Sequence, residues 1–532
     1  LGGRSAAGTA ASFSNSYGPS IYGGIVDTPA FLAGGQIGYN WQKNGWVFGV
    51  ELDASGVVSE GTNTCLAASG FVVSANCKAG PSVFATATGR VGYAFGALGR
   101  TLAYLKGGVA WQNNQGDVVN NYEGDRLPHA KTHFDYGRLG GVIGLGVEQA
   151  LTPAWSVTAE YDYLHFGGPS VATPPTVQDP PFAILPANTT SLSSDYHIGK
   201  IGLNYHFGAD PWTAQWSDAP LYAKEPAGAP PIAYTADWSF EGGSRLWLSR
   251  GRFQWNASGL RGVPGGIGTI DPNILVSRLT YHGLDGLSGE LFGRADSPWG
   301  VFLKGNIGLG RFDKGNDNDE DWSLRWGALT LPYVNSVSDQ ANGRFSYYTA
   351  DAGYDFLRGA NYKVGGFIGW TYYDQSSDST GCVETVNLRR PCLARGDDRI
   401  VGSQNTQWNA ARVGLSAETM LTERWRLSAD VAYLAWTDFK GRDNHLLRDA
   451  TTFAEQRGNG GGGVQVEGVL SYFITKNFSV GVGRRYWAMW TRKDSEVRCT
   501  GCRGPGMISD TQFSKFSMER WGTFFQASYR FD

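Results

Sequence analysis

Four ionisable residues in this chain sit at spacings that could hold and activate a water molecule. Asp443 and His445 end the stretch Trp436 to His445, and Asp319 and Asp321 lie within the stretch Asp317 to Trp322. In an extended strand, residues at i and i+2 point to one face, so each couple presents its two side chains together. An imidazole near its ordinary pKa takes a proton at neutral pH, and an adjacent carboxylate stabilises the imidazolium that results. A pair of carboxylates facing that couple could hold the water from the other side. The plain alternative is a pair of solvated loops, because Asp, Asn, Glu and Lys gather in turns where water solvates them. Which reading holds depends on where the two stretches fall in the fold.

Other candidate chemistries are weaker. Asp317, Asp319 and Asp321 have the opening spacing of a calcium loop, but Trp322 stands where the Gly is needed and Ala328 where the bidentate Glu is needed. Gly458 to Gly463 satisfies a Gly-x-Gly-x-x-Gly pattern, yet it precedes a strand rather than a helix, which makes it a flexible loop and not a nucleotide cradle. Arg395-Gly396-Asp397 lies in a Gly- and Asp-rich loop where such a tripeptide arises by chance. No His-Glu-x-x-His, Gly-x-Ser-x-Gly or Walker pattern occurs. His197, His206 and His282 read as wall or interior residues, and His129, His133 and His165 as residues in or near loops. Only His445 has a carboxylate at strand spacing in the right place, opposite a second acidic stretch.

The six cysteines fall as local pairs, Cys65 with Cys77, Cys382 with Cys392, and Cys499 with Cys502, each inside one polar loop. That pattern predicts three short disulfides made in an oxidising compartment. A zinc site at Cys499 and Cys502 lacks a second ligand pair, and Arg503 stands where haem attachment needs a His. A net charge of -3 with dispersed basic residues gives nucleic acid no foothold.

Length and composition place these residues in a membrane-type β architecture. A chain of 532 residues exceeds one ordinary core. It holds 75 Gly and 13% aromatic residues, with no apolar run long enough for a membrane helix. Membrane strands escape that test, because outward apolar and inward polar residues alternate along them. Leu1-Gly2-Gly3 reads as the end of a strand already under way, so the first strand is expected to start upstream of Leu1.

From Ala33 the pattern is strand, tight turn, strand, long loop. The pairs are Phe31 to Trp41 with Trp46 to Val58, Val83 to Phe95 with Leu102 to Gln112, and Gly141 to Gln149 with Trp155 to Phe166; Tyr196 to Phe207 ends the set. With a partial strand at Leu1 this predicts about eight strands, the smallest even-numbered transmembrane barrel. Residues 1–208 resemble the small eight-stranded surface-antigen barrels of alphaproteobacterial outer membranes. The likeness rests on Gly34 to Trp41, Gly89 to Tyr93, Tyr104 to Gly108 and Glu160 to Leu164. It implies a structural or adhesive surface protein and no chemistry.

Pro211, Pro220, Pro226, Pro230 and Pro231 break the pattern between residues 209 and 235 and predict an extended Pro/Ala-rich linker, since Pro cannot donate to a strand ladder. An even-stranded barrel returns its chain to the starting side, so the linker is expected to be periplasmic. Residues 236–532 then predict a second antiparallel barrel of about ten strands, with short turns after the second, fourth, sixth and eighth strands and long polar connections after the odd ones. Asp317 to Trp322 follows the third strand and Asp438 to His445 the seventh. Both therefore belong to the extracellular rim, nearly opposite each other, with a groove between them.

At these residues the second half resembles the omptins, ten-stranded outer-membrane proteases. Asp319-Glu320-Asp321-Trp322 matches the family's Asp-x-Asp-Trp, and Trp436 to His445 matches its Trp and following Asp-x-His. Ser277-Arg278-Leu279, Asn361 to Gly365 and Val413-Gly414-Leu415 add to the likeness. The resemblance implies catalytic roles for Asp319, Asp321, Asp443 and His445: His445, oriented by Asp443, is the general base, and Asp319 and Asp321 hold a water that attacks the scissile carbonyl without an acyl-enzyme. Two close carboxylates do not both ionise cheaply, so one of the aspartates would stay protonated and donate a hydrogen bond. The resemblance also implies lipopolysaccharide as a partner on the barrel wall; no cofactor or metal is called for. One departure concerns specificity. The acid expected two positions before Asp443 is replaced by Gly441, and the first strand around Gly251-Arg252-Phe253 lacks a second acid, which speaks against cutting beside Arg or Lys. The alternative to an endopeptidase is a non-catalytic, lattice-forming or adhesive barrel that oligomerises with other outer-membrane proteins. A porin is disfavoured because barrels of eight or ten strands leave little lumen.

Overall fold

The structure, a computed structural model, describes residues 2–4, 10–13, 25–28, 30–59, 61–66, 75–95, 100–120, 130–150, 155–178, 183–207, 238–260, 275–312, 314–321, 325–326, 329–330, 334–359, 361–385, 400–446, 452–492, 495–500 and 512–531. Every regular element among them is a β-strand. The Pro-rich segment 209–235, the tripeptide at 395–397 and Trp322 lie outside the described residues.

The period-two pattern produces these strands because only alternation satisfies both surroundings of a barrel wall. In Trp46–Ser59 the odd and even residues separate cleanly: Val47, Glu51 and Asp53 are buried, while Phe48, Val50 and Leu52 lie about half exposed on the outer face. Outward apolar and inward polar is the signature of a wall with lipid outside and a polar interior. The first sheet has eight staves: β1 (Gly2–Arg4), β2 (Ala30–Lys43), β3 (Trp46–Ser59), β4 (Ala75–Phe95), β5 (Thr101–Asn120), β6 (Lys131–Ala150), β7 (Trp155–Phe166) and β8 (Asn188–Tyr205). Each pairs antiparallel with the next, and β8 pairs back onto β1, Gly3 opposite Gly199, which closes the barrel. Its interior is filled by ion pairs. Lys106 meets Glu51 at 3.2 Å and Asp162 at 3.3 Å and also contacts Glu160, while Arg90 meets Glu148 at 3.3 Å. Buried charges persist only when paired in this way.

The second sheet closes in the same manner around ten staves, three of them in two pieces. They are β9 (Ser239–Leu260), β10 (Leu275–Asp296), β11 (Val301–Phe312) continued by β12 (Asn316–Asp321), β13 (Val334–Gly359), β14 (Tyr362–Glu384), β15 (Ile400–Met420), β16 (Trp425–His445), β17 (Thr452–Asn459) continued by β18 (Gly461–Phe473), β19 (Phe478–Thr491) continued by β20 (Ser495–Thr500), and β21 (Gln512–Phe531). β21 pairs back onto β9, Trp247 opposite Phe524. The fold is therefore all-β, two antiparallel barrels in tandem. Gly458 to Gly463, expected as a flexible loop, is the junction of β17 and β18. Gly460 and Gly461 have φ of 81° and 143°, a backbone that Cβ-bearing residues rarely adopt, and they let one stave bend while the ladder continues.

Candidate functional site

The outer face of the second barrel shows where its lipid-facing band ends. Leu246, Leu248, Leu287 and Leu309 face outward and are exposed, and immediately beyond them Arg250 and Asp285 form an exposed two-bonded ion pair at 2.6 and 2.9 Å. Charges of this kind belong outside hydrocarbon. Beyond that boundary, on the side of the long connections, the wall continues: β12 is inserted between β10 and β13, and β16 runs on to His445. Asp317 to Asp321 and Trp436 to His445 are thus strand, not loop. Each keeps the period-two geometry their chemistry requires.

Below the site the interior is closed by an aromatic floor. Phe439 from β16 lies with ring centroids 4.5 Å from Trp408, 4.3 Å from Phe516 and 5.9 Å from Phe253, so side chains from four staves meet there. Beneath them Arg520 stacks 4.2 Å over Phe345 and donates to the Tyr373 hydroxyl at 2.9 Å. The inward residue two beyond Phe439 is Gly441, and two beyond that is Asp443, which is buried. His445 Nε2 lies 3.2 Å from Asp443 Oδ2, with the imidazole about one-third exposed. This couple is the one the spacing predicts.

On the facing side, β12 pairs with β10 so that Asp317 stands opposite Tyr281, Asp319 opposite Leu279 and Asp321 opposite Ser277. Asp319 is half-buried and Asp321 exposed. Asp317, which stands in the sequence at calcium-loop spacing, is buried, and its Oδ2 accepts from Ser379 Oγ at 3.0 Å. Burial pushes the Asp317 carboxyl up to about 7; the Asp443 carboxylate adds to that shift, while Ser379, Tyr281 and His445 oppose it. Burial also holds Asp319 well above the ordinary carboxylate range, reinforced by the negative charges of Asp321, Asp317, Asp443 and Glu320. The Tyr281 hydroxyl is kept protonated by burial and by Asp317, Asp443 and Asp319. β12 and β16 therefore place their acids within electrostatic reach of one another across the barrel. Asp317 and Tyr281 are additions to the predicted four, and the signal for Asp317 was legible as a third acid in the same i, i+2 series. Among the described residues no group of three His, Cys, Asp or Glu side chains is spaced to hold a metal ion.

Gly441 is closely packed on its inward side. A Cβ there would lie 2.3 Å from Gln456 Oε1 and 2.9 Å from the Phe439 ring. Gln456 is fully buried and its Oε1 accepts from Gln404 Nε2 at 3.0 Å, so a pair of neutral amides occupies the place where an acid was expected.

His133 and His165 stand at the ends of their strands, beside the connections, as expected, and each meets a carboxylate across the ladder: His133 Nδ1 is 2.8 Å from Asp117 and His165 Nδ1 is 2.7 Å from Asp195. An Asp–His contact is therefore not peculiar to His445. Sequence spacing along one strand misses pairs made between strands. His282 Nε2 lies 2.7 Å from Asn318 Oδ1 and its pKa is lowered by burial. Of the disulfides, Cys65–Cys77 is formed; Cys382 and Cys499 are bonded as well, and Cys392 and Cys502 lie outside the described residues.

Fold and interior together define an outer-membrane β-barrel protein. Residues 3–207 match the family described as outer membrane protein beta-barrel domain. Solved structures similar to the chain include the outer membrane protease OmpT of Escherichia coli, at 11% identity over 58% of this chain and 100% of that one with a TM-score of 0.44. Another is Ail, the attachment invasion locus protein of Yersinia pestis, at 10% identity over 55% and 98% with a TM-score of 0.17. The siderophore receptor PiuA of Acinetobacter baumannii is similar at 9% identity over 98% and 81%, TM-score 0.19. Likenesses this distant assign no activity. No curated protein matches the chain.

Proposed function

We propose that the second barrel is an endopeptidase of omptin type, working at the extracellular rim of an outer-membrane protein. His445, positioned by Asp443, takes a proton from a water, and Asp319 and Asp321 hold that water from the facing wall while it attacks the peptide carbonyl. Asp319 and Asp317, whose burial favours their protonated forms, donate to the water or to the developing oxyanion. Hydrogen bonds aimed at that developing charge in a dry site are a large source of rate. The observation that carries this reading is the convergence of the Asp443–His445 couple with Asp317 and Asp319 above one closed aromatic floor. Lipopolysaccharide against the outer wall, long connections facing the exterior and a periplasmic linker complete the picture, with the first barrel as a surface-antigen-like companion.

One observation favours the second reading, a non-catalytic adhesive or lattice-forming protein. The Gln404–Gln456 pair fills the space beside Gly441, so the groove lacks the subsite a dedicated basic-residue protease would carry. The two readings separate on a mixed peptide library incubated with the protein refolded in lipopolysaccharide, beside a His445→Ala variant. Cleavage by the parent and not by the variant supports the protease; no cleavage by parent barrels that migrate as folded sinks it.

A further inference from the structure

An arginine on the outer face of a barrel strand beyond the lipid boundary should be bathed in water, yet Arg278 in β10 has no exposed surface at all. Charged side chains are buried to that degree only when something partners them. Its Nε donates to Asn256 Oδ1 of β9 at 2.8 Å, within the second barrel. Its Nη2 donates to the first barrel, to Asn76 Oδ1 at 2.5 Å and Thr62 Oγ1 at 3.4 Å. Gln254 Nε2, also on the outer face, donates to the Thr62 backbone carbonyl at 3.5 Å. One void between the two surfaces, bordered by Gly61, Thr62, Gln254 and Met518, measures about 20 Å³.

Thr62 and Asn76 belong to a hairpin, Gly61–Cys65 paired with the start of β4. Alternation gives that hairpin two faces. Asn63, Cys65, Ala75 and Cys77 turn inward, where the Cys65–Cys77 disulfide packs with Val118 and Phe134 as a small core capping the first barrel. Thr62 and Asn76 turn outward, hydrogen-bonded to each other at 2.9 Å, and meet the second barrel. At the opposite end of both barrels, Thr101 Oγ1 reaches the Leu421 carbonyl at 3.3 Å, one short turn against another. Contacts at both ends require the barrels to stand side by side with the same direction of insertion.

We propose that the disulfide hairpin is a docking element, and that the first barrel is held permanently against the outer rim of the second with Arg278 as the anchor. The docked strand β10 is the one whose inward face carries Leu279 and Tyr281 against Asp319 and Asp317, so the first barrel braces the wall behind those acids. These contacts are independent of whether the second barrel cleaves peptides.

The test uses the full chain in outer-membrane vesicles, with a specific protease site inserted between residues 209 and 235. The cut halves should stay together through detergent extraction and size-exclusion chromatography. Thr62→Cys with Gln254→Cys should cross-link under mild oxidation, and Thr62→Cys with Lys476→Cys, at the other end of the second barrel, should not. Arg278→Ala should lower the retained fraction about tenfold, as expected for losing charge-assisted hydrogen bonds. Asn76→Ala should act in the same direction and serves if Arg278→Ala fails to migrate as a folded barrel. Separation of the cut parent halves, or equal cross-linking by both cysteine pairs, overturns the proposal.

Discussion

Each barrel holds an Asp–His contact beyond its lipid-facing band, and the two have little else in common. In the first barrel, Asp117 meets His133 at 2.8 Å and Lys131 at 3.1 Å, with both basic side chains more than half exposed. Partial burial works to raise the Asp117 pKa, but hydrogen bonds from His133 and Lys131 outweigh it and hold the carboxylate below its usual range. In the second barrel Asp443 is buried, its neighbours across the groove are acids, and those acids are pushed toward protonation. A solvated pair flanked by a cation is already satisfied. A couple with a buried carboxylate that faces acids pushed toward protonation has both a base and donors on hand, and perturbed carboxyls in a cleft are what proton-transfer chemistry uses. What separates the two sites is the surroundings and not the contact.

The largest predicted effect tests that difference directly. His445→Ala should lower peptide cleavage by about 10²- to 10⁴-fold, the usual worth of a general base, while His133→Ala leaves it unchanged. Equal losses in both variants would mean that the contact alone, or the general integrity of the rim, governs the readout. The floor beneath the site gives the next largest effect. Phe439→Ala removes a ring that touches three others and should cost about 3–5 kcal/mol, as large aromatic truncations in cores do, seen as a lowered temperature for loss of folded-form migration on gels.

Much of this was legible without coordinates, for a reason specific to barrels. Phe48, Val50 and Leu52 against Val47, Glu51 and Asp53 leave one register that suits lipid and interior together, so strands inside the band are readable from alternation. Beyond the band the outer face no longer needs apolar residues, and the signal fades. In the fourth strand of the second barrel the alternation is therefore legible only from Phe345, whereas the wall extends back to Val334. For the same reason Asp317 to Asp321, which contains no apolar residue, read as a rim connection although it is paired on both sides. Cross-strand partners such as Ser379 for Asp317, Gln456 beside Gly441 or Asn76 for Arg278 depend on register, which no local spacing reveals.

The buried acids predict a pH dependence with a definite sign. Asp317 is raised to about 7 in the folded protein, so the fold binds a proton that the unfolded chain releases near pH 4. Its favourable contribution is complete below that lower value and is lost as pH rises through about 7. Asp317→Asn, which mimics the protonated form, should therefore raise the unfolding temperature at pH 8 and leave it unchanged at pH 4; a gain that is the same at both pH values would show that Asp317 titrates normally. Gly441→Asp should cost about 1–3 kcal/mol by overpacking against Gln456, and Gln456→Ala in the same chain should recover most of it. If Gly441→Asp alone is neutral, the amide pair does not fill that space.

The smallest effect belongs to the first barrel and completes the contrast. Asp117→Asn removes a solvent-exposed pair, and such pairs are worth about 0–1 kcal/mol because water and salt already screen the charges. Since the Asp117 pKa is lowered in the fold, its contribution is present above the ordinary carboxylate range and disappears as pH falls through the lowered value, opposite in direction to Asp317. Raising the salt concentration should shrink the effect of Asp117→Asn further, while the effect of Asp317→Asn, made in a dry interior, should persist. Two substitutions of the same type would then move stability with opposite dependence on pH and unequal dependence on salt. Equal salt sensitivity at the two positions would place Asp317 in solvent and remove the physical basis for treating the rim of the second barrel as a site.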